Sequence, residues 1–135
     1  KTRFYDYDET GKRQGLSLVV ADRYRFADSQ PVLAEVQHRL LFAQVLEAVR
    51  ALEEGVLEDI REGDVGAILG WGFAPWSGGP FAWLDIVGAS WAAAQCDALR
   101  TTHGDRFACP PLLRELAETS QTFYGRFGPV ARQAA

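Results

Sequence analysis

Ser29-Gln30-Pro31-Val32-Leu33-Ala34-Glu35-Val36-Gln37-His38-Arg39-Leu40-Leu41-Phe42-Ala43-Gln44-Val45-Leu46-Glu47-Ala48-Val49-Arg50-Ala51-Leu52-Glu53-Glu54-Gly55 is the stretch that decides the fold. Val32, Leu33, Val36, Leu40, Leu41, Val45, Ala48, Val49 and Leu52 recur at intervals of three and four, which places them on one broad face of a helix. Ser29 is a suitable N-cap, and Pro31 falls in the first turn, where its missing N–H costs nothing. Gly55 is the stop, since glycine takes up the left-handed conformation that ends a helix without strain. The pattern predicts an element of about 24 residues, roughly 36 Å long at 1.5 Å per residue.

Downstream, Glu58 to Leu69 reads as a shorter helix whose Gly63 and Gly66 suggest close packing against a neighbour. Gly70-Trp71-Gly72-Phe73-Ala74-Pro75-Trp76-Ser77-Gly78-Gly79-Pro80 reads as a rigid aromatic loop, because its glycines and prolines break regular structure. Pro80 to Val87 fits a third helix stopped by Gly88. Ser90 can cap a fourth that runs to His103 and buries Trp91, Ala94, Ala98 and Leu99. Pro110-Pro111 opens a fifth, with Leu112, Leu113 and Leu116 inward, and no pattern is visible after Gly125. Upstream, Phe4-Tyr5-Asp6-Tyr7 followed by the turn chemistry of Asp8 to Lys12 reads as an edge strand or hairpin arm with little core of its own. The expected fold is all-α, a bundle of about five helices led by one long helix, with a short N-terminal aromatic arm. Its expected divisions are an arm over 1–27, a helical domain over 28–125 and a loose tail over 126–135.

The 135 residues are 47% apolar and 24% charged, the composition of an ordinary globular domain, so disorder and collagen-like structure are disfavoured. There is no Met, which predicts that the chain was processed or cut from a longer one. A net charge of −4 is the wrong sign for neutralising phosphates and argues against nucleic acid. The longest apolar stretch, Trp83 to Ala94, is interrupted by Asp85 and is too short to span a bilayer. With no signal-peptide pattern, a cytoplasmic location is expected. Cys96 and Cys109 lack the close paired spacing of a zinc site and are expected to be unpaired and structural.

No motif carries recognisable chemistry. Gly70-x-Gly72 lacks the third glycine and the preceding strand of a dinucleotide fingerprint, and Ser77 has Pro75 where a nucleophile elbow needs glycine. His38 and His103 have no ligand or catalytic partner at useful sequence spacing and read as surface or cap residues. Glu53, Glu54, Glu58, Asp59, Glu62 and Asp64 read as a solvated acidic face. No catalytic, cofactor-binding or metal-binding residue is therefore expected. Gly70, Gly72, Phe73, Pro75, Trp76, Gly78, Gly79 and Pro80 are expected to form a packing or interface loop, with Trp76 at a helix–helix or domain contact.

Taken together, the blocks say more. Arg39-Leu40-Leu41-Phe42, Glu47 to Val56, Asp64 to Phe73, Pro75 to Phe81 with Leu84-Asp85-Ile86-Val87-Gly88, and Gly104-Asp105-Arg106-Phe107 with Pro110-Pro111-Leu112-Leu113 resemble, in order, the C-terminal helical domain of the 3-hydroxyacyl-CoA dehydrogenase family. The chain is most similar to the second helical repeat of the multifunctional β-oxidation proteins that join enoyl-CoA hydratase to dehydrogenase. Phe4-Tyr5-Asp6-Tyr7 resembles the signature closing the preceding repeat, although Arg3 stands where that signature has glycine. The resemblance implies a parent enzyme that uses NAD to oxidise a 3-hydroxyacyl-CoA, with its His/Glu pair and dinucleotide domain upstream. The asparagine that works in the first repeat corresponds to His38 here, so the resemblance implies a non-catalytic repeat. Its implied partners are the preceding repeat and dehydrogenase domain of the same chain, and self-association is expected where that partner is missing. The competing class is an independent acyl-CoA-binding or protein-binding module. The absence of Lys and Arg from Gly70 to Ile86 disfavours a phosphate-bearing ligand there.

Overall fold

The computed structural model describes residues 3–25 and 27–129. The chain divides into two compact units at Leu33/Ala34. In the first, β1 (Tyr5–Tyr7) and β2 (Arg13–Leu16) form an antiparallel hairpin pairing Tyr5 with Leu16 and Asp6 with Gly15. Asp8 organises the turn. One of its oxygens accepts from the backbone N–H groups of Thr10 (3.0 Å) and Lys12 (2.9 Å), while Gly11 adopts a positive φ. Ser17 then caps a helix that the sequence pattern did not reveal, α1 (Leu18–Arg23). Phe4, Leu18, Val19 and Tyr24 remain exposed, so this unit has almost no interior of its own.

The second unit is the helical domain. It comprises most of α2 (Leu33–Glu53), then α3 (Ile60–Trp71), α4 (Pro80–Val87), α5 (Ala89–His103), α6 (Pro111–Thr119) and α7 (Phe123–Phe127). Single 3₁₀ turns at Pro75–Ser77 and Asp105–Phe107 lie between helices. The all-α expectation holds, with seven helices among the described residues instead of about five. The long helix ends where expected. The Val56 N–H reaches the Ala51 carbonyl (2.9 Å) and the Gly55 N–H the Leu52 carbonyl (3.2 Å), the paired bonds of a Schellman stop with Gly55 at φ +69°. It begins at Leu33, later than Ser29 and Pro31 suggested, and so has 21 residues.

The buried stripe of α2 is Phe42, Val45, Leu46 and Val49, a clean i, i+3, i+4, i+7 set, whereas Val32, Leu33 and Leu40 are exposed. Leu41, Val45, Ala48, Val49 and Leu52 of the predicted face do meet the core, and Phe42 and Leu46, outside the predicted set, complete it. A one-residue rotation also separates expectation from structure in α5. Ala92, Ala93 and Cys96 face the core, while Ala94 and Ala98 are exposed and Trp91 is 39% exposed. The Trp91 ring lies at the edge of the core, against Phe42 (6.1 Å between centroids), Trp83 (6.2 Å) and His38 (6.0 Å). Gly63 is as tightly packed as expected, since a Cβ there would meet Leu57 and Phe81 below 3 Å, but Gly66 has open space around it. The patternless tail also needs correction: α7 covers Phe123 to Phe127, and residues 130–135 lie outside the described residues.

Ser120 ends α6 in the left-handed conformation (φ +54°) with no glycine to relieve it, and the Gln121 N–H bonds the Leu116 carbonyl (3.0 Å) around it. Ser120→Gly is expected to stabilise the domain by about 1 kcal/mol in urea unfolding, because glycine removes the Cβ penalty at that φ. An unchanged or lowered midpoint would contradict this account of the α6 terminus.

Candidate functional site

The aromatic loop is built around a carboxylate from the preceding helix. Helix α4 starts after Gly79 with no side-chain cap of its own, leaving its first N–H groups without local partners. Asp64 of α3, only 2% exposed, supplies them: its Oδ1 accepts from the Phe81 N–H (2.8 Å) and its Oδ2 from the Ala82 N–H (3.1 Å). The approach depends on Gly79. At φ +113° it has no Cβ, and one placed there would lie 2.4 Å from the Asp64 Cβ. The Tyr124 hydroxyl also donates to Asp64 Oδ2 (2.8 Å). Tyr124 belongs to α7, whose first two N–H groups, those of Phe123 and Tyr124, are held by Asp85 of α4 at 2.7 and 2.9 Å. Three helices are therefore tied in a closed circuit: α3 caps α4, α4 caps α7, and α7 returns to α3.

Two further tertiary contacts complete the frame. Glu53 at the end of α2 accepts from the Leu112 N–H in the first turn of α6. Arg50, one turn earlier, donates to the carbonyls of Arg106 (3.2 Å) and Ala108 (3.1 Å). Asp59 caps its own helix through the Arg61 N–H (2.9 Å). The expectation of a solvated acidic face is overturned at Asp64, which is buried; Glu53 is exposed and Asp59 half-buried, and all three carboxylates serve helix N-termini.

Asp64 and Asp59 are displaced in opposite directions. Burial lifts the Asp64 carboxyl above its ordinary 3.8, outweighing the donors from Phe81, Tyr124 and Ala82. The hydrogen bonds from the Arg61 guanidinium and backbone hold Asp59 down at about 2. Burial, followed by the bond to Asp64, pushes Tyr124 up to about 12, so it remains a donor throughout the neutral range.

The predicted loop residues separate into an inner and an outer set. Phe73, Ser77, Gly79 and Pro80 are buried, while Gly70, Gly72, Pro75 and Gly78 are at the surface. Gly70 and Trp71 belong to the last turn of α3, and Pro75–Ser77 forms a 3₁₀ turn, so the loop is more regular than expected. Trp76 does not pack between helices of this unit. It is 82% exposed, and Trp71 is 64% exposed. Ser77 is no nucleophile in this setting: its hydroxyl donates to the Ala74 carbonyl (2.6 Å) and accepts from the Gly79 N–H (3.3 Å), holding the turn.

His103 meets Glu35 at 3.3 Å, a pairing that sequence distance concealed, and His38 places its ring edge-on to Phe42 and Trp91. Cys96 and Cys109 carry free thiols. Among the described residues no three His, Cys, Asp or Glu side chains are gathered for a metal, and no helix is long and apolar enough to cross a membrane.

Residues 36–126, which contain α3, α4 and the whole carboxylate circuit, match the 3-hydroxyacyl-CoA dehydrogenase C-terminal domain. The chain belongs to that family. Among the proteins it is similar to, the fatty acid oxidation complex subunit alpha of Shewanella amazonensis is 42% identical over 90 residues, 67% of this chain and 13% of the relative. The subunit of the same name from Shewanella loihica is 43% identical over 99 residues, 73% of this chain and 14% of the relative. That from Shewanella frigidimarina is 38% identical over 125 residues, 90% of this chain and 17% of the relative. The chain thus spans less than a fifth of the length of each of these relatives.

Asp64→Asn is expected to destabilise this family member by about 2 kcal/mol, because an amide cannot accept from both the Phe81 and Ala82 N–H groups. The folded state retains the Asp64 proton at pH values where the unfolded chain has released it. The wild-type margin over Asp64→Asn should accordingly be fully present below the ordinary 3.8 and shrink as pH rises through the elevated folded value. Asp59→Asn should behave oppositely, its margin present above the ordinary 3.8 and vanishing as pH falls toward about 2. Urea midpoints measured across that range check both signs, and parallel curves for the two variants would contradict them.

Proposed function

We propose that this chain is a non-catalytic helical repeat of a fatty-acid β-oxidation enzyme, an NAD-dependent 3-hydroxyacyl-CoA dehydrogenase joined to enoyl-CoA hydratase. In this proposal it supports the preceding helical repeat and dehydrogenase domain of the same parent chain. The observation that carries the reading is the arrangement of the aromatic loop. Its backbone is fixed from within by Phe73, Ser77, Gly79 and Pro80, yet Trp71 and Trp76 are turned outward, where an isolated domain gains nothing from them. Large aromatic side chains on a rigid support suit a protein contact, because little conformational freedom is lost when they are covered.

We assign Gly70, Gly72, Phe73, Pro75, Trp76, Gly78, Gly79 and Pro80 to that interface loop, the exposed members as contact surface and the buried ones as its support. NAD and acyl-CoA belong to the parent enzyme in this reading. The division into an arm over 1–27 and a helical domain that begins at 28 and that α7 carries to Phe127 is proposed with it: the arm, whose Phe4 and Tyr24 are exposed, continues directly from the preceding repeat. The free thiols of Cys96 and Cys109 fit a cytoplasmic setting.

Assay of the purified chain with NAD and a 3-hydroxyacyl-CoA is expected to give no turnover. Light scattering is expected to report self-association through the uncovered aromatic surface. Trp76→Ala should change the stability of the isolated chain by less than about 0.5 kcal/mol, as an exposed ring has little packing to lose. In the parent enzyme the same change should lower the melting temperature or weaken assembly before it alters KM for acyl-CoA. Turnover by the chain alone, or a large rise in KM with unchanged melting, would overturn the proposal in favour of an active or ligand-binding module.

A further inference from the structure

Val36, Arg39 and Leu40 lie along one face of α2 at helical spacing. Near them α5 ends at His103, Gly104 turns the chain at φ +88°, and the 3₁₀ turn Asp105–Phe107 brings Arg106 and Phe107 to the same place. These side chains line one cavity of about 370 Å³. The turn that carries Arg106 is fixed on both sides. Arg50 donates to the Arg106 and Ala108 carbonyls at 3.2 and 3.1 Å, and Arg100 donates to Asp105 at 2.8 Å. Phe107 is buried beneath, with the Arg106 guanidinium carbon 5.9 Å from its ring centre and the His103 ring edge-on at 6.0 Å.

Charge around the cavity is unbalanced. Among the described residues the Arg106 side chain forms no ion pair, and Arg39 has only Glu35, at 3.9 Å and outside hydrogen-bond range. Glu35 Oε1 lies closer to His103 Nε2, at 3.3 Å, so the protein already seats one carboxylate at the lip of this cavity.

We propose that the cavity binds a small amphiphilic carboxylate, a monocarboxylic acid with a short aliphatic tail. Its carboxylate meets Arg39 and Arg106, whose planar N–H donors match two carboxylate oxygens. Its tail covers Val36, Leu40 and the edge of Phe107, removing from water a wall on which Leu40 is 63% exposed. A bare inorganic anion leaves that wall wet, and a neutral chain of the same length leaves the guanidinium groups without a counter-charge. The cavity is bounded by helices and a hydrogen-bonded turn, so an extended peptide finds no open strand edge to pair with. Glu35 is the resident competitor, a like charge beside Arg39 that weakens the ligand's hold. The site shares no residue with the aromatic loop and stands whether or not the chain is a supporting repeat.

The test titrates the purified chain with octanoate by calorimetry, with backbone amide NMR shifts locating the site. Octanoate should saturate with a dissociation constant of about 1 mM or below, shifting amides around Leu40 and in the Asp105–Phe107 turn. Acetate, inorganic phosphate and octanol should each bind about tenfold more weakly or worse, because each lacks one half of the recognition. Arg106→Gln should weaken octanoate about tenfold. Glu35→Gln should tighten it severalfold, an opposite sign that a purely structural role for these residues does not produce. Trp76→Ala should leave it unchanged. The wild-type comparison of octanoate with octanol and phosphate decides the matter even where a variant does not fold. Octanol or phosphate binding as well as octanoate, shifts confined to Trp71 and Trp76, or unaltered affinity in Arg106→Gln would overturn the proposal. An acetylated dipeptide ending in glutamate that bound more tightly than octanoate would overturn it in favour of a protein segment.

Discussion

A buried carboxylate at the N-terminus of a helix that has no cap of its own is the constraint on which this domain depends. Asp64 is a charged side chain in a core of Phe81, Phe123 and Ile60, a position that costs free energy unless its oxygens are matched by donors. The donors come from two elements at once, the opening turn of α4 and the hydroxyl of Tyr124 in α7. Because Asp85 of α4 holds α7 in turn, displacing any one of these three helices leaves polar groups of another without partners. Gly79 belongs to the same constraint. The close approach of its backbone to Asp64 determines how the loop must enter α4, and therefore how Trp76, three residues earlier, is presented.

The loop thus has two faces with different physical origins. Its inner face follows from hydrogen bonding and close packing, and explains why glycine and proline are needed at particular positions. Its outer face has no such explanation within the domain. Trp71 and Trp76 contribute little to a fold that leaves them in water, while Phe73 and Phe81 nearby are fully used in the core. That contrast separates residues needed to make the domain from residues available to join it to something else.

Much of the architecture was legible in the sequence because it rests on periodicity and punctuation. Gly55 and Gly88 end helices as their positions suggested, and Pro80 and Pro111 open them. Failures arose where a local pattern had a competitor. In α5 the size of Trp91 drew the predicted face toward it, yet the smaller Ala92, Ala93 and Cys96 pack inward. In α7, Phe123-Tyr124-Gly125-Arg126-Phe127 is too short for a helical period to appear, and Asp85, a remote residue, supplies part of its cap. The carboxylate circuit was hidden for the same reason. Asp64 looks like one of six acidic residues near two helix ends, and only the folded chain separates the buried one from its exposed neighbours. The one local clue was Gly78-Gly79-Pro80, a helix start with no capping side chain, which leaves N–H groups that must be satisfied from elsewhere.

This arrangement also determines how the domain can assemble. Helices of 8, 9 and 5 residues, the lengths of α4, α6 and α7, are too short to be stable alone in water. Their first turns are completed by Asp64, Glu53 and Asp85, residues contributed by α3, α2 and α4, so α4 and α6 take their caps from longer helices and α7 takes its cap from α4. The 21-residue α2 and the self-capped α3 are the elements with the most local support, through the Gly55 stop and the Asp59 cap. Support consequently passes from α3 to α4 and from α4 to α7, and the bond from the Tyr124 hydroxyl back to Asp64 couples the three, so that loosening one exposes polar groups of the next.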